Sequence, residues 1–211
     1  DLDCIQENVA NMLKLLPDGV DMIAVVKANA YGHGEVQVAK TVLEAGASYL
    51  AVAMLDEGLL LRKHGIEAPI LVLGASRPED VNVAAKNHLT LTVFQEQWVQ
   101  EAKKFLEKDL SLSFHLKIDT GMGRIGLRTE EELRRIESVI ESDPRFQLEG
   151  VYTHFATADE KDLTFFKKQY DRFQKMISLL KAKPKMIHAS NSAASLRKLG
   201  SFFNAIRFGV S

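Results

Sequence analysis

The chain has 211 residues, of which 46% are hydrophobic and 26% are charged, and its formal net charge at pH 7 is −1. This balance is typical of a globular protein and argues against disorder, and without a basic excess nucleic acid is excluded as the main partner. The apolar runs are too short to cross a bilayer, and Asp1-Leu2-Asp3 shows no secretory signal. Cys4 is the only cysteine, so no internal disulfide can form, and we expect a cytoplasmic protein without membrane partners.

Short apolar runs alternate with longer amphipathic segments along the chain. An opening helix carries Ile5, Val9 and Met12, and the turn residues Pro17-Asp18-Gly19 end it. Eight apolar runs follow, and their content of β-branched and aromatic residues predicts buried strands. The predicted strands are residues 22–26, 49–53, 70–73, 89–94, 112–118, 148–155, 186–189 and 205–210.

Segments with helical spacing lie between the predicted strands. Thr129 and Glu132 form a capping box that marks the beginning of one such helix. The clearest apolar stripe has steps of four and three, which predicts a helix buried along one face. Its members are Phe166, Tyr170, Phe173, Ile177 and Leu180.

The strict alternation of strand and helix predicts parallel strands joined by right-handed crossovers. Eight such strands close most naturally into an α/β fold of the (β/α)8 TIM-barrel type, with a doubly wound open sheet as the alternative. Only Ser211 follows the eighth run, so we expect an incomplete eighth unit whose strand lacks a covering helix, in a chain that is part of something longer. No linker divides the sequence, and residues 1–211 are treated as one domain.

Polar side chains recur at one end of several predicted strands. In a barrel, the carboxyl ends of the strands face the active site, and polar groups buried there are costly unless they are paired. These residues are Lys27, Lys117, Asp119, His154, His188, Asn191 and Arg207.

Lys27 directly follows the first apolar run. A lysine at this position would be partly desolvated, which favours the neutral, nucleophilic amine that a Schiff base requires. A lysine that extends from the strand end to water is the alternative. Asn29, Gly32 and Gly34 suit a tight, non-helical loop beneath a ligand.

The segment VKANAYGHG, residues 26–34, closely resembles the pyridoxal phosphate (PLP) attachment motif of the alanine racemases. Similar motifs follow in the order of that family: HLKIDTGMGRIG at 115–126, YTHFATAD at 152–159, HASNSAA at 188–194 and IRFG at 206–209. Five long motifs in order are far more specific than one short pattern. The resemblance covers the whole chain and corresponds to the amino-terminal barrel of the family.

The resemblance implies an alanine racemase that interconverts L-alanine and D-alanine and supplies D-alanine for peptidoglycan. Lys27 would hold PLP as an aldimine and would then act as the base on one face of the substrate α-carbon. The phosphate of PLP would be held by Tyr31, by Ser192 and by the backbone at Gly209 and Val210. For Ser192, a plain helix N-cap is the alternative.

The resemblance also assigns roles to residues around the ring of PLP. Arg207 would face the pyridine nitrogen, and His154 would hydrogen-bond Arg207 and hold it in place. A permanently charged guanidinium disfavours protonation of that nitrogen, which favours racemisation over transamination. Arg124 would contact the phenolic oxygen of the cofactor and the carboxylate of the substrate, and Asn191 would belong to the cofactor-binding set.

Lys117 matches a lysine that members of this family often carbamylate. Carbamylation would convert the cation into an anion that can orient Arg124. An unmodified Lys117 paired with Asp119 is the alternative. The six histidines show no HxxxH or HxH cluster, so no metal site is predicted.

The family pattern also implies partners beyond these residues. Its second base is a tyrosine from the carboxy-terminal β-domain of the other subunit, so we expect a homodimer whose sites are completed in trans and a β-domain outside this chain. Tyr31, Tyr49, Tyr152 and Tyr170 do not match that tyrosine. The alternatives are a single-domain PLP-binding barrel for cofactor homeostasis without turnover, a dimerisation or packing module, and a barrel amino-acid decarboxylase, against which Arg207 argues.

Overall fold

The computed structural model describes residues 1–199 and 203–209, in which eight parallel strands close into a barrel in chain order. The first strand pairs with the eighth, which confirms the predicted TIM barrel and excludes the open sheet. The strands are β1 Asp21–Val25, β2 Tyr49–Val52, β3 Ile70–Val72, β4 Leu89–Val93, β5 Leu112–Lys117, β6 Phe146–Tyr152, β7 Met186–His188 and β8 Ala205–Phe208.

One right-handed helix precedes β1, and others connect the strands. They are α1 Leu2–Leu15, α2 Glu35–Glu44, α3 Leu55–Lys63, α4 Val81–Lys86, α5 Glu96–Phe105, α6 Glu130–Glu141, α7 Thr164–Ser178 and α8 Ser192–Leu196. The predicted capping box begins α6: the Thr129 hydroxyl accepts from the Glu132 N–H at 3.2 Å, and the Glu132 carboxylate accepts from the Thr129 N–H at 3.1 Å. Within residues 1–199 and 203–209, no helix has both the length and the apolar character that a membrane span requires.

Most predicted strands extend beyond the observed ones at their carboxyl ends. Val26 and Phe155 are each 1% exposed, yet they follow β1 and β6 rather than belonging to them. An apolar run indicates burial, and burial continues past the last paired residues: Val26 still donates to the Ala51 carbonyl of β2 at 2.8 Å, whereas Phe155 lies in a loop of the barrel mouth. The predicted strand ends are therefore displaced toward the site.

The α7 helix packs the predicted face against the core, but its most buried row is rotated slightly from the predicted stripe. Tyr170 and Ile177 are only half-buried, and Leu180 lies beyond the helix. Gln169 is fully buried because its amide donates to two oxygen atoms and accepts from one backbone N–H in the loops after β5 and β6. These hydrogen bonds turn a polar residue inward, which an apolar pattern does not register. The buried residues of α7 are Phe166, Gln169, Phe173 and Met176.

The opening helix α1 lies against β8, the strand that we expected to be uncovered. Ile5 and Val9 of α1 and Phe208 of β8 line one small cavity of about 110 Å³. Ile206 and Phe208 are 0% and 5% exposed. The expectation of an incomplete eighth unit is confirmed, since no helix follows β8 within the described residues, but the expectation that this strand is uncovered is wrong. The helix lies at the other end of the sequence, and only closure of the barrel brings β8 beside β1 and α1.

Candidate active site

A pocket of about 750 Å³ opens at the carboxyl ends of the strands. It brings together every described residue to which the resemblance gave a role in holding PLP or substrate, but not Asp119 or His188; Val210 lies outside the described residues. The predicted residues that line it are Lys27, Tyr31, Lys117, Arg124, His154, Asn191, Ser192, Arg207 and Gly209.

Lys27 begins a left-handed helical turn, not the non-helical loop that the sequence suggested. Residues 28–31 all have positive φ, between 49° and 55°, although none is glycine. Each such residue costs about 1–2 kcal/mol, so other contacts must hold the turn. Glu57 of α3 accepts from the Ala28 N–H at 2.7 Å, and the Asn29 side chain accepts from the Glu35 N–H at 3.0 Å. Glu57 was not predicted from the sequence, because its role depends on a contact with a residue 29 positions away.

Two hydroxyl groups and one backbone N–H gather beside this turn. A Cβ at Gly209 would lie 2.9 Å from the Tyr31 hydroxyl and 2.9 Å from Val25 Cβ, so only glycine fits there. The Gly209 N–H donates to the Ser192 hydroxyl at 3.1 Å. Burial raises the pKa of Tyr31, which keeps its phenol protonated and able to donate. Such donors suit a phosphate.

Asn191, not Ser192, caps helix α8. The Asn191 side chain accepts from the Ala194 N–H at 3.0 Å, and its amide donates to the Phe155 carbonyl at 3.1 Å. The alternative reading of Ser192 as a plain N-cap is therefore wrong. Asn191 joins the beginning of α8 to the loop after β6, and it leaves the Ser192 hydroxyl directed to Gly209.

Arg207 is buried at the floor of the pocket, with 4% of its surface exposed. It donates to His188 Nδ1 at 2.8 Å and to the carbonyls of Thr153 and Ala189 at 2.9 and 3.1 Å. The predicted hydrogen bond to His154 is present but longer, at 3.4 Å. Burial lowers the pKa of Arg207 to about 10, so the guanidinium stays charged at neutral pH.

Four cations surround His154. Burial lowers the pKa of His154, and the positive charge of Arg207 and of three other basic side chains lowers it further, to about 2. Its imidazole is therefore neutral. The cations are Arg207, Lys117, Arg124 and Lys27. A concave site with this excess of positive charge attracts anionic ligands such as phosphates and carboxylates.

Lys117 lies inside the barrel, with 4% of its surface exposed. Its ammonium group is 4.4 Å from the centre of the Tyr152 ring. Burial, then the charges of Arg207 and Arg124, holds the pKa of Lys117 well below its ordinary value, although Asp119 opposes the shift. The amine is thus biased toward its neutral, nucleophilic form.

Asp119 does not pair with Lys117. Its carboxylate accepts from Arg128 Nε at 3.0 Å and from the N–H groups of Gly121 and Gly123, also at 3.0 Å. Burial raises the pKa of Asp119, but these hydrogen bonds outweigh it and lower the pKa below its ordinary value. The alternative in which Asp119 neutralises Lys117 is therefore wrong, and Asp119 instead orders the glycine-rich loop that carries Arg124.

Two further residues of the site received no role from the sequence. His188 is the nearest imidazole to Arg207, and Tyr152 stacks on His188 with ring centres 4.7 Å apart and an angle of 7°. Each ends its strand, β7 and β6 respectively. Their position at the carboxyl ends of strands is the sequence signal from which a role in the site could have been predicted. Within the described residues, no group of three or more His, Cys, Asp or Glu side chains is arranged to hold a metal ion.

The fold and the pocket define a class: a (β/α)8 barrel with a lysine directly after β1 and a cationic, anion-receiving pocket at the carboxyl ends of its strands. The family described as alanine racemase, N-terminal domain, matches residues 1–211, and the chain belongs to it.

Known proteins similar to this chain share that assignment. The alanine racemase of Geobacillus kaustophilus (strain HTA426) is 57% identical over 211 residues, which cover 100% of this chain and 55% of the relative. Alanine racemase 1 of Bacillus subtilis (strain 168) is 53% identical over 210 residues, or 100% of this chain and 54% of the relative. The chain spans about half the length of the curated relatives it matches.

Solved structures show the same barrel. The alanine racemase from Bacillus anthracis with bound L-Ala-P has a TM-score of 0.97 and 52% identity, covering 99% of this chain and 55% of that one. The histidine racemase from Leuconostoc mesenteroides subsp. sake has a TM-score of 0.88 and 30% identity, covering 97% of this chain and 56% of that one. Closely similar barrels therefore occur in racemases named for different amino acids.

Proposed function

We propose that this chain is the PLP-binding barrel of an alanine racemase, which interconverts L-alanine and D-alanine and supplies D-alanine for peptidoglycan. The observation that carries the proposal is the placement of Lys27. It follows β1 directly and shares one pocket with the Tyr31–Ser192–Gly209 donor group and with the buried guanidinium of Arg207. The family membership of the chain supports the same reaction.

The residues of the pocket fit PLP. The cofactor carries an aldehyde, a phosphate and a pyridine nitrogen, and the pocket offers an amine, a set of hydroxyl and N–H donors and a guanidinium. The missing Cβ of Gly209 leaves room for a group to approach Tyr31 and Ser192 closely. PLP, when bound, supplies the electron sink that makes the α-proton of an amino acid removable.

Each residue then has a distinct task. Lys27 Nζ holds the cofactor and takes or returns the α-proton on one face of the substrate. The hydroxyls of Tyr31 and Ser192 and the backbone N–H of Gly209 hold the phosphate, with the backbone of Val210 as a further proposed contact. Asn191 fixes the beginning of α8 and so orients Ser192.

Arg207, His154 and Arg124 set the electrostatics of the site. Arg207 donates to the ring nitrogen and disfavours its protonation, which limits side reactions. His154 stays neutral and supports the guanidinium from the side. Arg124 binds the phenolic oxygen of the cofactor and the carboxylate of alanine.

We further propose that Lys117 is carbamylated. The neutral amine that its lowered pKa favours adds to carbon dioxide and releases a proton, which leaves an anionic carbamate. That anion would stand among the charges of Arg207 and Arg124, where it offsets like-charge repulsion and orients Arg124.

The second base is proposed to come from outside these 211 residues. Racemisation needs proton transfer at both faces of the α-carbon, and Lys27 serves one of them. The Tyr152 hydroxyl is hydrogen-bonded to Thr92 inside the barrel, and Tyr49 bonds Thr90 and Glu149 deeper still. We propose a cytoplasmic homodimer in which a tyrosine of the other subunit's carboxy-terminal β-domain completes the site.

The test is racemisation of alanine by the complete protein loaded with PLP. Lys27→Ala should abolish the visible absorbance of the bound cofactor and lower D-alanine formation by at least about 100-fold, the size of a general-base contribution. Lys40→Ala, an exposed lysine of α2, is the matched control and should change neither. Wild-type racemisation by Lys27→Ala would overturn the proposal. PLP held at Lys27 without racemisation of alanine would favour the cofactor-homeostasis alternative instead.

A further inference from the structure

A line of polar side chains runs from the pocket into the barrel. Arg207 Nη1 lies 2.8 Å from His188 Nδ1, and His188 Nε2 lies 2.9 Å from His115 Nδ1. His115 Nε2 in turn faces the carboxylate of Glu149 at 3.9 Å. Both imidazoles are fully buried, so their ring nitrogens depend on one another rather than on bulk water.

The hydrogens along this line can be arranged in only one direction. A guanidinium has no acceptor, so His188 Nδ1 must accept and the hydrogen of His188 must be on Nε2. His188 Nε2 then donates to His115 Nδ1, which places the hydrogen of His115 on Nε2. Burial, followed by the charge of Arg207, lowers the pKa of His115 to about 3 and that of His188 well below its ordinary value, so both rings are neutral.

The inner end of the line is consistent with this direction. Within the described residues, His115 Nε2 has no hydrogen-bond partner, and it faces an acceptor-only carboxylate. Glu149 is itself fixed there, because its carboxylate accepts from the Tyr49 and Thr90 hydroxyls at 3.2 and 3.0 Å. A negative charge at this end favours an N–H on the nitrogen that faces it.

The backbone makes room for His115 specifically. A Cβ at Gly150 of β6 would lie 2.6 Å from His115 Cε1, closer than any real contact. The pairing of β5 with β6 also shifts register between Phe114 and His115, at the same level of the barrel. A bulge and a glycine placed together around one ring indicate that the ring position is built, not incidental.

We propose that His188 and His115 are positioning residues. Together with Glu149 they form a one-way line of donors and acceptors that holds the Arg207 guanidinium in one orientation at the pocket floor. The purpose of that orientation rests on the proposed function, because Arg207 serves PLP there. The direction of the hydrogen bonds along the line does not rest on the proposed function, since the protein alone fixes where the hydrogens lie.

The first test measures tautomers in the complete protein without added cofactor. Nitrogen-15 NMR of labelled histidine side chains at neutral pH should show both His115 and His188 neutral and protonated on Nε2. A hydrogen on Nδ1 of either ring, or a charged imidazolium, would overturn the inference. This result is independent of racemisation, so it stands or falls separately from the proposed function.

The second test uses two substitutions of similar shape. Asparagine at position 115 can still accept from His188, whereas leucine leaves the Nε2–H of His188 without an acceptor and so removes the support that His188 receives behind Arg207. We expect kcat for alanine racemisation to fall about 10-fold in His115→Leu, with KM little changed, and to recover substantially in His115→Asn. Equal kcat in the two variants would mean that His115 only fills space and would overturn its assignment as a positioning residue.

Discussion

The inward-facing side chains of the first four strands are mostly apolar or hydroxyl-bearing, whereas those of the last four carry imidazole, ammonium and guanidinium groups. On the first four, the buried residues include Ile23, Tyr49, Ala51, Leu71, Thr90 and Thr92. On the last four they include His115, Lys117, Tyr152, His188 and Arg207. Both sets are equally deep: Ile23 and His115 are each 0% exposed. The barrel thus joins an apolar half, strands β1–β4, to a polar half, strands β5–β8, that buries charged groups.

The difference between the two halves shows how the barrel accommodates a charged site. Burying a polar group is costly unless it is hydrogen-bonded, and Arg207 meets that requirement through His188 and two backbone carbonyls. Lys117 has no such hydrogen bond among residues 1–199 and 203–209, and its amine lies over the face of the Tyr152 ring instead. We infer that the basic groups held at the ligand site lower the stability of the polar half. Packing in the apolar half then compensates for that loss.

The largest expected effect comes from reversing the central charge of the polar half. Arg207→Glu should lower racemisation by at least about 100-fold, because a preorganised donor is lost. A carboxylate would also favour a protonated ring nitrogen, so pyruvate formed by transamination of alanine should rise. Assays of D-alanine and of pyruvate on the PLP-loaded complete protein measure both.

The control for that substitution lies in the apolar half. Ile23→Val should cost only about 0.5–1.5 kcal/mol of stability and should leave both product rates unchanged. An Arg207→Glu variant with the wild-type rate and product ratio would show that Arg207 does not face the cofactor.

Acidification should destabilise the protein through its buried histidines. An unfolded histidine binds a proton below a pH of about 6.5, whereas folded His115 and His154, with pKa values of about 3 and about 2, do not. The unfolded state then binds more protons, so stability falls with falling pH. Each of these histidines should remove about 1.4 kcal/mol from the free energy of unfolding per pH unit below 6.5, and His188 should act in the same direction.

Urea unfolding at neutral pH and one unit below 6.5 measures this dependence. His115→Asn should reduce the slope by the contribution of one histidine, while His64→Asn, an exposed position at the end of α3, should leave it unchanged. Identical slopes in the wild type and in His115→Asn would contradict the assignment of a neutral, buried imidazole.

A smaller effect, an increase rather than a decrease in stability, is expected from substitution of Lys117. Lys117→Met removes a buried amine that is not offset by an ion pair in the described part of the chain, so it should raise the free energy of unfolding by about 1–3 kcal/mol. Urea unfolding in buffer free of carbon dioxide measures the change. Leu71→Ala in the apolar half should instead lower stability by about 2–5 kcal/mol. A loss of stability in Lys117→Met would contradict the account of the polar half.

The sequence predicted the barrel because its signal is local and repeated. Alternating apolar runs and amphipathic segments determine which elements form, and they were sufficient for all eight strands. These local patterns do not predict contacts that form only when the barrel closes. That is why the covering of β8 by α1 was missed, and why Gln169 was not expected inside, where hydrogen bonds rather than apolar character hold it.

The site was predictable in composition but not in its internal contacts. The motifs identified residues that the fold gathers into one pocket. The left-handed turn after Lys27 was not visible, since Ala28 and Ala30 have no preference for positive φ and a hydrogen bond from distant Glu57 helps to impose it. The contact of His188 with Arg207 depends on how β7 and β8 lie side by side, which sequence spacing does not specify.

The proposed function depends most directly on Lys27 as the attachment point of PLP. The complete protein, saturated with PLP, is reduced with borohydride, digested and analysed by mass spectrometry for the lysine that carries the pyridoxyl group. The account predicts the label on Lys27, with Lys27→Ala losing it and Lys40→Ala retaining it. A label on Lys117 or on any other lysine, with Lys27 unmodified, would contradict the central claim.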